Sequence, residues 1–382
     1  MKFSCTKENL SRGLSVVSHI TTKNINLPIL NNVLVKIENK ALKLITTNLE
    51  IAISCAVRGK VDEDGEFTVP AKLFADCITL LPNERIDCDG NESFLGVKCK
   101  SFETKIKGMA AVDFPLIPKI NKESHYRVFA PDLKKAVDSV IFAASLNESR
   151  PEISGICASF NPEGIEGKVV FAATDSYRLA ESKIQLHSDN QNNKKEAIII
   201  PARTFAEVLR IISVAREGLE GEDVVEIAIG EGQVQFLYKG IEIGSRLIEG
   251  TYPDYRHIIP EKYITSTIVS KEDLGKAAKI SSLFTKAGLN DVKINVLGTN
   301  KEMEISSVNN QTGENNSRID IESEGPQNEI VLNYKYLIDG INNIETEKMK
   351  MKIIDANSPC LLEPLDPKSG MDYLYIVMPI KV

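Results

Sequence analysis

A chain that carries one pattern three times is constrained to build one module three times, and self-comparison of this sequence finds such a pattern. Glu8-Asn-Leu-Ser-Arg-Gly-Leu-Ser-Val-Val, Pro131-Asp-Leu-Lys-Lys-Ala-Val-Asp-Ser-Val and Glu272-Asp-Leu-Gly-Lys-Ala-Ala-Lys-Ile-Ser align. Each sets small and apolar residues at helical spacing behind a Leu. Leu10, Leu14 and Val17 share one face, as do Leu133, Val137 and Val140; Leu274, Ala278 and Ser281 form a weaker third copy. A second trio follows: Val69-Pro-Ala-Lys-Leu-Phe-Ala, Ile200-Pro-Ala-Arg-Thr-Phe-Ala and Leu332-Asn-Tyr-Lys-Tyr-Leu-Ile. Pro70 and Pro201 lie 131 residues apart, Pro201 and Asn333 132. Thr46-Thr-Asn-Leu matches Ala173-Thr-Asp-Ser, with Thr47 and Thr174 separated by 127. Three landmarks in one order at near-constant spacing predict three copies of one domain.

Pro or Asn before each helix of the second trio is a start signal. Asn32–Ile37, Ala41–Thr46, Lys168–Ala173 and Gly232–Leu237 alternate or run apolar at strand length. Asp62-Glu-Asp-Gly, Cys88-Asp-Gly-Asn, Asn161-Pro-Glu-Gly and Gly230-Glu-Gly read as turns between strands. Each copy is therefore expected to be α+β, two helices packed against antiparallel sheets. Breaks near Pro118–Tyr126 and Pro260–Tyr263 give expected domains at 1–120, 126–256 and 260–382.

Function classes are narrowed mostly by exclusion. With 46 Lys+Arg against 53 Asp+Glu the net charge is −7, which disfavours a protein that coats nucleic acid through overall charge but leaves room for a local basic surface. No apolar run reaches the ~18 residues of a membrane helix, and the start lacks the apolar core of a secretion signal. Seven scattered cysteines without a CxxC pair read as buried apolar residues in a reducing cytoplasm. His19, His125, His187 and His257 stand far apart and offer no zinc spacing. Gly164-Ile-Glu-Gly-Lys-Val lacks the spacer and the terminal Ser/Thr of a phosphate loop, and no G-x-S-x-G elbow occurs. Asp62-Glu-Asp-Gly lacks the closing Glu of a calcium loop. No catalytic residue, metal ligand or cofactor site is expected.

Ala172-Ala-Thr-Asp-Ser-Tyr-Arg-Leu-Ala, Glu249-Gly-Thr-Tyr-Pro-Asp-Tyr-Arg-His-Ile-Ile-Pro, Leu27-Pro-Ile-Leu-Asn-Asn-Val-Leu and the ending Tyr375-Ile-Val-Met-Pro-Ile-Lys-Val carry a resemblance. Together they resemble the bacterial DNA polymerase III sliding clamp, the β subunit, over the whole chain. The resemblance implies three DNA-clamp domains per chain and a head-to-tail homodimer whose six domains ring double-stranded DNA. It implies a processivity factor, not an enzyme. The implied partners are DNA polymerase III α subunit, the clamp loader complex, and other polymerases and repair proteins.

DNA-facing positions implied on the helices are Lys7, Arg12, Lys72, Lys134, Lys135, Arg203, Arg210, Lys276 and Lys279. On loops at the rim they are Lys23, Asn24, Asn147 and Arg150. Ordinary solvated helix residues account for the same pattern on spacing alone. Clamps often carry Arg at the position of Asn24 and an aromatic residue at that of Glu152, which implies weaker DNA contact here. A hydrophobic partner pocket would use Ile153, Thr174, Ser176, Tyr177, Arg178, Leu179, Pro253, His257, Ile258, Ile376, Val377, Met378, Pro379 and Ile380. The bland alternative makes Tyr375–Val382 a closing strand of the core. Relatives often have Gly-His at Ser176-Tyr177, Arg at His257 and Met-Arg-Leu in place of Ile380-Lys-Val382, so the peptide preference is expected to differ. Lys105 and Ile106 are implied to meet Leu283 and Phe284 of a second copy, with intradomain packing the alternative for Phe284. The rival function is a monomeric clamp-like adaptor that binds peptides without encircling DNA; an unrecognised hydrolase is the third.

Overall fold

The helix and strand patterns recur three times in one order. The structure, a computed structural model, describes residues 1–21, 26–91, 93–117, 120–121, 123–147, 149–187, 194–216, 221–286, 288–298, 301–367 and 372–381. The first repeat runs β1 (Lys2–Thr6), α1 (Lys7–Val17), β2 (Asn32–Glu38), β3 (Ala41–Thr47), β4 (Ile51–Val57), β5 (Lys60–Glu63), β6 (Gly65–Pro70), α2 (Ala71–Leu80), β7 (Arg85–Gly90), β8 (Phe94–Cys99) and β9 (Phe102–Lys107). The second runs β10 (Ser124–Phe129), α3 (Ala130–Ile141), a one-turn α4 (Pro151–Ser154), β11 (Gly155–Phe160), β12 (Lys168–Thr174), β13 (Arg178–Gln185), β14 (Glu196–Pro201), α5 (Ala202–Arg216), β15 (Val224–Gly230), β16 (Gln233–Tyr238) and β17 (Ile241–Arg246). The third runs β18 (Thr265–Ser270), α6 (Lys271–Ser282), β19 (Asp291–Leu297), β20 (Glu302–Asn309), β21 (Gly313–Glu324), β22 (Asn328–Asn333), α7 (Tyr334–Asn343), β23 (Lys348–Ile353), β24 (Cys360–Pro364) and β25 (Asp372–Val377). Only β5 and α4 break the correspondence.

The helix faces chosen by spacing are the buried ones. Leu10, Leu14, Val17, Leu133, Val137, Val140, Leu274 and Ala278 are all fully buried. The weak third copy places a polar Ser281 in the core, where its hydroxyl accepts from Asn315 Nδ2 at 2.9 Å. That bond offsets the cost of burying the hydroxyl. Thr6 and Ser270 cap α1 and α6 by accepting from Asn9 N and Asp273 N, and Asn333 caps α7 by accepting from Lys335 N.

Strand pairing obeys a rule that the sequence does not display. In each repeat the first strand and the last three lie side by side and the hairpin strands form a second group, except that β5 pairs with β1 in the first repeat and β18 pairs with the end of β21 in the third, which joins the two groups there. Across repeats, the last strand of one joins the strand after the second hairpin turn of the repeat before it. Thus β17 pairs with β4, Ile241 opposite Cys55 and Ser245 opposite Ile51. Likewise β25 pairs with β13, Val377 opposite Arg178 and Ile376 opposite Leu179. These two joints create an eight-stranded sheet, β10-β15-β16-β17-β4-β3-β2-β6, and a twelve-stranded one, β14-β11-β12-β13-β25-β24-β23-β18-β21-β20-β19-β22. A third sheet, β5-β1-β7-β8-β9, belongs to the first repeat. Two compact units result: the first repeat with β10 and β15–β17, and the third repeat with β11–β14. The second repeat is divided between them.

Two expectations are corrected. Cys88–Gly90 is not a turn but the end of β7; the chain turns afterwards, where Asn91 Oδ1 accepts from Ser93 N and Phe94 N at 2.9 and 3.0 Å. Polar composition misled there because β7 exposes alternate residues. Six cysteines are buried as expected, whereas Cys77 is half-buried on α2, and all seven thiols are free. Burial pushes the Cys5 thiol up to about 12, with Asp87 adding to the shift, and the Cys55 thiol up to about 11. Neither is a nucleophile at neutral pH.

Candidate functional site

The second junction, where β25 joins β13, collects most of the implied pocket residues. The β12–β13 turn is locked by its own side chains. Thr174 Oγ1 donates to Arg178 O at 2.6 Å and accepts from Ser176 N at 3.1 Å. Asp175 Oδ1 accepts from Tyr177 N and Arg178 N at 3.0 and 3.1 Å. Ser176 is thereby held at φ +79°, a left-handed conformation that favours glycine. Met378 N donates to Tyr177 O at 2.9 Å and Ile380 N to Val331 O at 2.8 Å, which ties the end of the chain across the turn.

One guanidinium organises this turn. Arg178 Nε donates to Asp175 at 2.9 Å, Nη1 to Asp339 at 2.5 Å and Nη2 to Phe142 O at 2.8 Å. Its Cζ lies 4.6 Å from the Tyr336 ring centroid and 5.3 Å from that of Phe142. Tyr177 stacks on Tyr336 at 6.5 Å. Tyr375, whose phenol burial pushes well up, donates its hydroxyl to Tyr336 O at 2.9 Å. The planar fork donates in three directions, to two different carboxylates and a carbonyl, while lying near two rings, which a lysine ammonium could not imitate.

The floor beneath is apolar. Leu179 and Ile376 pack with Cys157, Ala172, Tyr255 and Leu361, and Tyr252, Ile259, Tyr263 and Leu374 lie against them. Ile153, Leu179, Ile376 and Val377 are buried, so they form floor and frame rather than open lining. Thr174 is buried; Arg178, Pro253, Met378, Pro379 and Ile380 are half-buried. Tyr177, Ile258 and His257 are exposed, and His257 Nε2 sits 3.0 Å from Asp254.

The basic positions divide by what they touch. Lys72, Lys276 and Lys279 are exposed on α2 and α6, and Lys276 pairs with Glu272. Lys7 and Arg12 are half-buried on α1, with Arg12 2.7 Å from Glu8. Lys134 and Lys135 on α3 reach Asp138 at 2.6 Å and Glu345 at 2.5 Å; burial lowers the Lys135 ammonium. Arg203 is exposed on α5. Arg210 is built into a helix contact: it bonds Glu207 at 2.5 Å and donates to Ser15 O and Val16 O at the end of α1, at 3.2 and 2.6 Å. There it meets the negative end of the α1 dipole. Asn147 is exposed. Arg150, read as a rim residue, donates to Ser176 Oγ at 3.0 Å and to Glu152 at 3.1 Å, beside the pocket turn. Glu152 is held below the usual carboxylate range by a backbone amide and by Arg150. Lys23, Asn24 and Val382 lie outside the described residues.

Ile106 is buried in β9, and Lys105 Nζ lies 4.9 Å from the Phe94 ring centroid. Leu283 is 71% exposed just past α6, with Phe284 half-buried beside it. Among the described residues no three His, Cys, Asp or Glu side chains gather as a metal site. No described helix is long and apolar enough to cross a membrane. Phe142, Tyr336 and Asp339 were invisible to sequence reading because the first lies 36 residues from Arg178 and the last 161.

Comparison with known proteins assigns all three repeats. Family models described as the DNA polymerase III beta subunit N-terminal, central and C-terminal domains match residues 1–118, 128–254 and 256–381. A beta sliding clamp from Synechocystis sp. is 28% identical, covering 100% of both chains, and one from Haemophilus influenzae is 26% identical, again covering 100% of both. The crystal structure of the DNA polymerase III subunit beta from Pseudomonas aeruginosa matches with TM-score 0.91 at 25% identity over 100% of both chains. A griselimycin-bound form from that organism has TM-score 0.90 at 25% identity, also over 100% of both.

Proposed function

The chain belongs to the DNA polymerase III beta subunit family, the sliding clamps, and on that premise we propose that two copies close head to tail into a six-domain ring. The ring encircles duplex DNA and tethers polymerases through the second junction. One observation carries the assembly. Among the described residues, the rule that joins β17 to β4 and β25 to β13 leaves β9 of the first repeat and the Gly313–Asp320 half of β21 of the third without a cross-repeat neighbour. They sit in opposite terminal repeats, so a second copy supplies both. Among the described residues β9 pairs with β8 alone, Gly313–Asp320 of β21 pairs with β20, and Ile321–Glu324 of β21 pairs with β18.

The register follows by analogy. Gly313 opens β21 as Ile51 opens β4 and Arg178 opens β13. Those two face Ser245 and Val377, at or beside the ends of their strands. Gly313 would accordingly face Ile106 or Lys107 of a second copy. A Cβ on Gly313 would lie 3.8 Å from the Phe284 ring, so this register brings Leu283 and Phe284 to Lys105 and Ile106. Exposed Leu283 then gains a partner.

Enclosure explains how such a protein holds DNA without reading it. Phosphate contacts position a protein on the duplex, and base contacts specify sequence. Exposed Lys72, Arg203, Lys276 and Lys279, with Lys7, Arg12, Lys134 and Lys135, would interact with the backbone through a screened field. The second junction offers partners an apolar floor and a turn stiffened by Arg178, which suits the extended peptides of polymerase III α subunit, the clamp loader and repair proteins. The reading entails three domains near 1–120, 126–256 and 260–382, no catalysis, and a cytoplasmic setting with DNA. Retention on circular against linearised DNA after loading is the test. A ring persists on circles and runs off ends; equal retention on both sinks it.

A further inference from the structure

The two junctions hold their turns in the same way. Thr47 Oγ1 donates to Ile51 O and accepts from Leu49 N, both at 3.0 Å, as Thr174 does with Arg178 O and Ser176 N. Asn48 Oδ1 accepts from Glu50 N and Ile51 N at 3.1 and 2.8 Å, as Asp175 does from Tyr177 N and Arg178 N. Leu49 is held at φ +76°, matching Ser176 at +79°. Ile51 therefore answers to Arg178, Ala52 to Leu179 and Ser54 to Glu181. The facing pair Leu179 and Ile376 becomes Ala52 and Gly244, and a Cβ added to Gly244 meets nothing within 4 Å.

The connectors that follow the first two repeats change in step with these strands. Gly108 and Pro118 bracket Asp113-Phe114, and Gly250 and Pro260, also ten residues apart, bracket Asp254-Tyr255. Phe114 packs with Ile29, Leu30 and Leu34 and has no hydroxyl to satisfy; the strand of its repeat carries Ser54. In the second repeat both members differ. Tyr255 donates its hydroxyl to Glu181 Oε2 at 2.5 Å, and both residues are buried. Lys183 Nζ lies 3.1 Å from Glu181 Oε1. A buried carboxylate is tolerated when it is paired and costly when a partner is taken away. Burial and the facing carboxylate push the Tyr255 phenol far up, so the hydroxyl keeps the proton it donates.

The bond falls where two sides of the second junction meet. Glu181 is two residues along β13 from Leu179 and so stands on the same face of the strand. Tyr255 O accepts from Ile258 N at 3.0 Å, closing the single turn that carries His257 and Ile258. Tyr252, Ile259 and Tyr263 hold the rest of the connector through apolar packing, which is non-directional. A hydrogen bond fixes direction as well as distance. We infer that Tyr255 and Glu181 are positioning residues of the partner pocket: their bond sets the connector that carries Pro253, His257 and Ile258 against the strand that carries Leu179, so that wall and floor are pre-arranged for an extended peptide. The inference rests on reading the second junction as a peptide pocket and names what holds that pocket in shape. Pre-arrangement raises affinity by removing an ordering cost from the binding step.

The test measures binding of full-length protein to the DNA polymerase III α subunit of the same organism by surface plasmon resonance, with amide hydrogen exchange at Ile258 and Ile259 as the local readout. Tyr255→Phe removes the hydroxyl alone. It is expected to weaken binding about tenfold, the size of one hydrogen bond to a charged group, and to speed exchange at both amides. Glu181→Leu should do the same, and Glu181→Gln, which keeps an acceptor oxygen, should recover most of that loss. Tyr255→Phe combined with Glu181→Leu should bind as either single variant does, because the same bond is removed. Wild-type affinity in Tyr255→Phe overturns the inference, even with a lower melting temperature, and so do losses that add in the combined variant. Met378→Asp separates the parent reading. If it binds the α subunit as the wild type does, the second-junction reading fails and takes the inference with it; if it loses binding and Tyr255→Phe does not, the pocket stands and the positioning role falls.

Discussion

The two strand junctions share a backbone and differ in what stands on it. At each, a Thr hydroxyl and an Asn or Asp side chain hold a left-handed turn against the final strand of the following repeat. At the first, the residue after the turn is a buried Ile51; at the second it is Arg178, whose charge is shared by Asp175 and Asp339. The comparison teaches that the turn is a template set by short polar side chains, whereas its use is set by size and charge a few residues away. Duplication preserved the first and let the second diverge.

Extending the comparison to the third junction proposed between chains carries the largest expected effect. Leu283→Asp with Phe284→Asp puts charge where β9 would meet β21, and sedimentation should shift from twice 42.2 kDa to 42.2 kDa. A persistent dimer would place the contact elsewhere. Removing Met378–Val382 should abolish partner-peptide binding at the second junction and leave the dimer intact. The cut belongs after Val377, because Ile376 and Val377 are buried in β25, and removing them would damage the sheet itself.

Arg178→Ala should cost about 1–3 kcal/mol in denaturant unfolding, since it leaves the half-buried Asp175 carboxylate and the part-buried Phe142 carbonyl without their donor. Arg178→Leu should recover part of that stability without recovering peptide binding. Ile51→Ala, its counterpart, should cost about 2–5 kcal/mol through the cavity it leaves. Full peptide affinity in Arg178→Leu would show that the cation has no part in the pocket.

Smaller effects probe the turns and the buried thiols. Leu49→Gly and Ser176→Gly relieve a left-handed strain of roughly 1–2 kcal/mol, and the looser unfolded chain offsets about half. Both variants should melt slightly higher, and a lower melting temperature in both would refute the strain. In alkali, Cys5 and Cys55 ionise more readily once unfolded, because their folded thiols are raised to about 12 and about 11 from 9.0. Their contribution is complete below pH 9 and is lost as pH rises through the folded values. Cys5→Ala should therefore flatten the alkaline limb of a stability–pH curve.

The repeat was legible because Leu10, Leu133 and Leu274 answer to a local rule, the burial of one helix face. Strand pairing between repeats was not, because nothing in Ile51–Val57 names Ile241–Arg246 as its neighbour; both are alternating strands with many possible mates. Arg178 was legible as a motif residue, yet its partners Phe142, Tyr336 and Asp339 were not, since tertiary folding alone gathers them. The small residues Ala52 and Gly244 gave no signal either. A gap in packing is written as an absence of bulk, and composition does not flag it.

The odd edges of β9 and β21 also bear on what a lone chain would do at high concentration. Each molecule would present one unsatisfied plug and one unsatisfied socket, which is the geometry of a polymerising monomer. Closure after two copies would cap both and end growth. Variants that blunt one edge and spare the other would then stop closure while leaving a single adhesive end, so a closed circle would need both ends of every copy intact.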